Sequence, residues 1–152
     1  MLPKYHIVLG FIFSIVLFLI FPSINLIGAG IIFLSSFLID FDHYVYYIFK
    51  KRDLNLKRAY IWFIKKQEKL YSLSRKKRNK VPGEFFFLHG IESLLVLFIL
   101  GIYLSSYIFY ILIGFALHLF SDIIYQRTIH DRLDKISLIY DWFKYKKLRC
   151  LG

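Results

Sequence analysis

Ile24 to His43 reads INLIGAGIIFLSSFLIDFDH, and the fold turns on how that stretch is read. It is apolar or small in character up to Ile39 and then closes on Asp40, Asp42 and His43. At about 1.5 Å per helical residue, 24–41 is of the order needed to cross a hydrocarbon core of about 30 Å. Carboxylates and an imidazole at the end of such a run are costly near lipid unless they are paired or hold a metal.

Composition agrees with a membrane reading. The 152 residues are 58% hydrophobic and 20% aromatic, with a mean hydropathy of +0.55. A soluble domain is nearer half apolar. Cys150 stands alone, so no internal disulfide forms; an inert thiol is expected, with reversible lipidation as the alternative.

Three further apolar runs flank the deciding stretch. The first, 5–21, is interrupted only by His6 and Ser14. A signal peptide is the competing reading, but no small-x-small cleavage site follows Phe21, so a retained span is expected. Pro22-Ser23 is the turn into the second span, 24–41, where Gly28 and Gly30 suit close helix packing. The third span is expected at 85–104 and the fourth at 107–124, joined by Ser105-Ser106, with Gly114 permitting close approach. The fold class is therefore all-α: an integral membrane four-helix bundle of two helical hairpins, in one domain. A tail, 125–152, follows and is expected to be partly helical.

The charge is segregated. Net charge is +11, and 13 of the 21 Lys and Arg fall between Tyr44 and Glu84. There Leu56, Tyr60, Phe63, Ile64 and Leu70 recur at helical spacing among lysines, as in a basic amphipathic helix lying on a membrane surface. The run Ser74 to Lys80 is read as held by anionic lipid head groups rather than by nucleic acid. The loop 44–84 and the tail hold 20 of the 21 basic residues, and the two short turns hold none. The positive-inside rule then places both termini and the loop on the cytoplasmic side of a plasma or inner membrane, multi-pass.

On that topology the polar groups gather. His6, then Asp40, Asp42 and His43, then His89 and Glu92, then His118 and Asp122 all fall at the inner ends of the four spans. His89 and Glu92 are three apart and His118 and Asp122 four apart, so each pair would share a helix face. Carboxylate and imidazole pairs from facing helices are how bundle cores hold one or two metal ions. All eight are candidate ligands, and the mixed set suits zinc, manganese or iron. Such a metal lowers the pKa of a water, and Asp42 or Glu92 is the candidate general base. Each residue also has a bland role. Asp40 or Asp42 could cap a helix, His43 and His6 could sit at the membrane interface, and Glu92 could pair with a loop lysine. His118 and Asp122 could simply lock two helices together. His130 reads as a surface residue of the tail.

Ile39-Asp40-Phe41-Asp42-His43 is similar to the Pro-Asp-x-Asp-His element of the YdjM-type inner-membrane proteins, described as membrane-bound metal-dependent hydrolases. Gly114 to Asp122 resembles that family's Gly-x-x-x-His-x-x-x-Asp helix, and His6 with Gly10 resembles its N-terminal element. The third element departs: the family's His-Arg-Gly-x-Thr-His-Ser is here His89-Gly90-Ile91-Glu92-Ser93, lacking the Arg and with Glu92 where the second His falls. The resemblance implies hydrolysis of an ester or phosphoester at the cytoplasmic face, the substrate being a small phosphoester or a lipid. The missing Arg removes a group suited to an anionic substrate. Two rival classes remain: a metal or proton transporter using the same groups as a relay, and a non-catalytic scaffold whose basic loop binds lipid or a partner.

Overall fold

The computed structural model describes residues 3–78, 80–81, 86–130 and 136–149. Among these every regular element is an α-helix: α1 Pro3–Ile20, α2 Leu26–Leu38, α3 Phe41–Lys51, α4 Leu56–Tyr71, α5 Arg75–Arg78, α6 Ile91–Tyr103, α7 Tyr107–His130 and α8 Leu138–Arg149. Three stretches are long and apolar enough to cross a membrane: Pro3–Ile20, Leu26–Lys51 and Tyr107–Ile129.

The helices are inside out relative to a soluble bundle. On α1 the buried positions are His6, Gly10 and Ser14, one turn apart, while Val8, Phe11, Ile12 and Leu19 on its other faces are exposed. Small and polar residues at the helix contacts with large aliphatics facing outward is the membrane arrangement, because lipid solvates the aliphatics and close backbone approach supplies the packing. Three candidate spans and this reversed burial make the chain a membrane protein.

α2 is the central helix, packed along both α7 and α1, which also touch each other; α6 packs on α7 and α3 on α4. Two glycines set the crossings. A Cβ on Gly10 would run into Ser36 of α2, and one on Gly114 would run into Ser35 and the Ile32 carbonyl. Gly28 likewise accommodates the Tyr110 ring, whereas Gly30, also expected at a contact, has open space around it. Ser35 and Ser36 return their hydroxyls to carbonyls of their own helix, at 2.7 Å to Ile31 and 2.7 Å to Phe33, so both fit an apolar setting. Towards the α1–α2 turn the interior is apolar, with Ile24, Ala29 and Ile32 packed by Phe13, Leu17, Tyr110 and Ile113. Asn25 caps α2 by accepting the Gly28 N–H at 2.7 Å.

Two expectations change. The third span is α6, whose 13 residues reach about 20 Å and fall short of a core of about 30 Å. Phe86 to Gly90, expected as its first turns, instead form a tight turn ahead of it. The second span does not stop at Phe41. After α2 ends at Leu38, short-range bonds from the Asp40 N–H to the Phe37 carbonyl, the Asp42 N–H to Ile39 and the His43 N–H to Asp40 carry the chain into α3. Beyond α3, Arg52 takes the left-handed conformation at φ 52° and turns α4 back onto α3. Asp53 fastens that turn: its carboxylate accepts from the Asn55 N–H at 3.0 Å and the Tyr47 hydroxyl at 2.8 Å. Those two bonds, the Asn55 one foremost, hold its carboxyl below the usual Asp range. α4 carries the expected amphipathic basic sequence, and the tail is helical over the end of α7 and over α8.

Candidate metal centre

Opposite the apolar end, polar groups fill the interior. His6, Asp42, His89, His118 and Asp122 are all buried, and the Asp40 side chain is only 17% exposed. His6 comes from the first turns of α1, and Asp40, Asp42 and His43 from the α2–α3 junction. His89 comes from the turn before α6, and His118 and Asp122 from successive turns of α7.

Each of three imidazoles is held by its Nδ1. In an unbroken helix the Asp40 N–H would bond the Ser36 carbonyl; here it bonds Phe37 instead, and His118 Nδ1 takes the Ser36 carbonyl at 2.8 Å. A carbonyl only accepts, so Nδ1 carries the proton and Nε2 presents its lone pair. His89 Nδ1 lies 2.9 Å from Asp42 Oδ2, which fixes the same tautomer. The Ser121 hydroxyl donates to the His118 carbonyl at 2.8 Å, which leaves its oxygen to accept from His6 Nδ1 at 3.3 Å. The His6 and His118 rings stack at 3.8 Å.

The consequence is a conflict of lone pairs. His89 Nε2 and His118 Nε2 are 3.2 Å apart, and Asp40 Oδ1 lies 3.5 Å from the first and 3.6 Å from the second. These three sides define a point about 2.0 Å from all three atoms, which is a zinc–imidazole bond length. His6 Nε2, buried and without a hydrogen-bond partner among the described residues, faces Asp122 Oδ1 at 3.2 Å. Asp122 Oδ2 lies 3.9 Å from His118 Nε2. Asp40 Oδ2 is also buried without a hydrogen-bond partner among the described residues. Acceptors aimed at one another, with carboxylates largely buried, are what a divalent cation would reconcile. Two groups have metal-site spacing: His6, His118 and Asp122, and Asp40, His43 and His89.

Two of the eight expected ligands do different work. Asp42 has both oxygens engaged, Oδ1 with His43 Nδ1 at 2.6 Å and Oδ2 with His89 Nδ1 and the Leu88 N–H at 3.2 Å. It orients imidazoles and is not placed as a ligand or as the base. Glu92 is not in the cluster at all. Its carboxylate accepts from the Ser137 hydroxyl at 2.6 Å and the N–H groups of Leu138 and Ile139 at 2.9 and 3.2 Å, capping α8. The expected shared face of His89 and Glu92 fails because His89 precedes the helix. His43 is present, stacked on Phe86 at 3.9 Å, its Nδ1 3.8 Å from Asp40. The side chain of His130 lies outside the described residues.

Sequence reasoning missed the Ser36 carbonyl, Ser121 and Phe86. Ser121 had a signal, standing one turn after His118; the other two had none. It also missed a cleft of about 150 Å³ beside the cluster, with Asp40, His43 and Asp122 on one wall and α4 on the other. No protein family, curated protein or solved structure matches this chain.

Proposed function

We propose that the chain is a metal-dependent hydrolase of the cell membrane, a divergent member of the YdjM-type family, cleaving an ester or phosphoester at the cytoplasmic face. Both termini and the basic loop lie on that side in this reading. The observation that carries it is the pair of Nε2 atoms 3.2 Å apart with Asp40 Oδ1 beside both, each imidazole held by its other nitrogen. His89, His118 and Asp40 would hold the ion, with His6 and Asp122 beside it. Nitrogen and oxygen donors together suit zinc, manganese or iron. Bound there, the ion supplies Lewis acidity and makes water a nucleophile near neutral pH.

The residues around it divide the remaining work. Asp42 keeps His89 and His43 in one tautomer and orientation. Asp122 lines the cleft and takes over the base role expected of Asp42 or Glu92, receiving the proton of the attacking water on a carboxylate oxygen. Once Asp122 has taken the proton, its carboxyl can donate to His6 Nε2, 3.2 Å from Oδ1, which presents a lone pair. The water oxygen joins the acyl carbon or phosphorus, the ester C–O or P–O bond breaks, and the alcohol leaves with the proton that Asp122 received.

Transport fits less well. A relay needs polar groups continuing outward, whereas the other end of the bundle is the apolar cluster of Ile24, Ala29 and Ile32. Ser14 and Ser35 are bonded to carbonyls of their own helices. The test is metal analysis of the full-length protein in nanodiscs, with turnover of phosphodiester and carboxylester probes. Bound divalent metal and turnover that both vanish in His118→Ala and Asp40→Ala are expected. Full metal content and turnover in those variants, or a wild type that takes up no metal, refutes the proposal.

A further inference from the structure

The cleft beside the cluster has two unlike walls. Asp40, His43 and Asp122 form the polar one; Leu56, Tyr60, Phe63 and Ile64 of α4 dominate the other, with the buried Ala59 between them. A soluble hydrolase acting on a small phosphate ester would line such a space with hydrogen-bond donors, yet here the α4 face is mainly hydrocarbon and aromatic, with Gln67 its one amide. α4 belongs to the basic loop. Lys57, Lys65 and Lys69 on the same helix are exposed, and Glu68 is its only acidic residue. An apolar slot and a carboxylate–imidazole cluster thus meet at one place, on a helix of the basic loop, in a protein whose spans face lipid.

We infer that this cleft seats the first carbons of the apolar chain of an anionic membrane amphiphile, with the ester or phosphoester head at the His–Asp cluster. The inference rests on the hydrolase reading and names its substrate class: an anionic lipid or lipid-linked phosphoester, not a water-soluble one. A cavity of about 150 Å³ holds a benzene-sized group, so about six carbons enter and the rest of the chain stays in the bilayer. α4 is then the specificity wall.

The test uses the full-length protein in nanodiscs of zwitterionic lipid and a series of linear alkylphosphonates, methyl to dodecyl, which cannot be hydrolysed. Binding is measured by calorimetry, with empty nanodiscs subtracted. Affinity is expected to rise about three- to fourfold per methylene to about six carbons and then level off. Ala59→Phe fills the cleft and should flatten the series. Ile64→Ala enlarges it and should move the plateau to longer chains, which serves if the larger side chain prevents folding; helical content by circular dichroism is the folding control. A series identical in all three proteins, or no steeper than that of empty nanodiscs, overturns the inference. Metal uptake and turnover of a methyl ester without any chain-length dependence would overturn it while leaving hydrolysis standing. Chain-length dependence that shifts in Ile64→Ala without metal or turnover would support the cleft and remove hydrolysis alone.

Discussion

Asp42→Asn isolates the tautomer argument, because it changes no atom count and removes no proposed ligand. The Asp42 carboxylate accepts from three donors: His43 Nδ1 at 2.6 Å, His89 Nδ1 at 2.9 Å and the Leu88 N–H at 3.2 Å. An amide offers one accepting oxygen and one donating nitrogen. If the oxygen stays toward His89 and Leu88, His43 faces an N–H₂; if it turns to His43, His89 loses its acceptor and the tautomer that points its Nε2 at the centre. Leaving one such buried donor unmatched costs about 1–3 kcal/mol. Loss of an orienting carboxylate behind a metal-binding His weakens affinity about 10- to 100-fold, or about 1.4–2.8 kcal/mol. Competition against a chromogenic chelator, with the full-length protein in detergent, measures this directly. Zinc affinity falling by that factor while helical content is unchanged is the expected result. Unchanged affinity in Asp42→Asn would show that the Nδ1 bonds do not set the ligand geometry.

Glu92→Ala should leave metal affinity within about twofold but release α8, since three donors lose their acceptor at a cost of about 0.5–2 kcal/mol; hydrogen exchange over 138–149 reads this. Gly114→Ala drives a methyl into Ser35 and the Ile32 carbonyl and should cost about 1–3 kcal/mol, seen as a lower melting temperature. Gly30→Ala meets nothing within 4 Å and should be neutral or stabilising by up to about 1 kcal/mol. Asp53 has a lowered pKa, so the order it gives the α3–α4 turn is present above the usual Asp value of about 3.9 and fades as pH falls through the folded-state value. Amide exchange at Asn55 should therefore accelerate in acid in the wild type and be pH-flat, after correction for intrinsic rates, in Asp53→Asn.

The helical class and the turns at Pro22-Ser23 and Ser105-Ser106 could be read from the sequence because apolar length and turn chemistry act locally. So could the meeting of His6, Asp40, His43, His89, His118 and Asp122, because each stands at the same end of its apolar run. What escaped depends on contacts between segments. Hydropathy does not distinguish the turn at Phe86 to Gly90 from the helix that follows it, so the apolar run alone predicts a longer α6. Spacing put Glu92 beside His89, but the N–H groups of α8, some 45 residues away, claim its carboxylate. Asp42 looked like a ligand because Asp-x-Asp-His does not tell which carboxylate faces inward. The close approach of Gly10 and Gly114 to α2, which lets the polar ends meet, needed the three-dimensional crossing.

The interruption after Leu38 has an effect that side-chain mutagenesis would overlook. The acceptor that aims His118 is main chain, so no replacement at position 36 deletes it, and the helical ladder leaves it to His118 by skipping one bond there. The whole ensemble is therefore phased by residue count. Inserting or removing a single residue between Ser36 and Asp40 would turn everything beyond by about 100° about the axis and swing Asp40 away from both histidines, with every functional group still present in the chain.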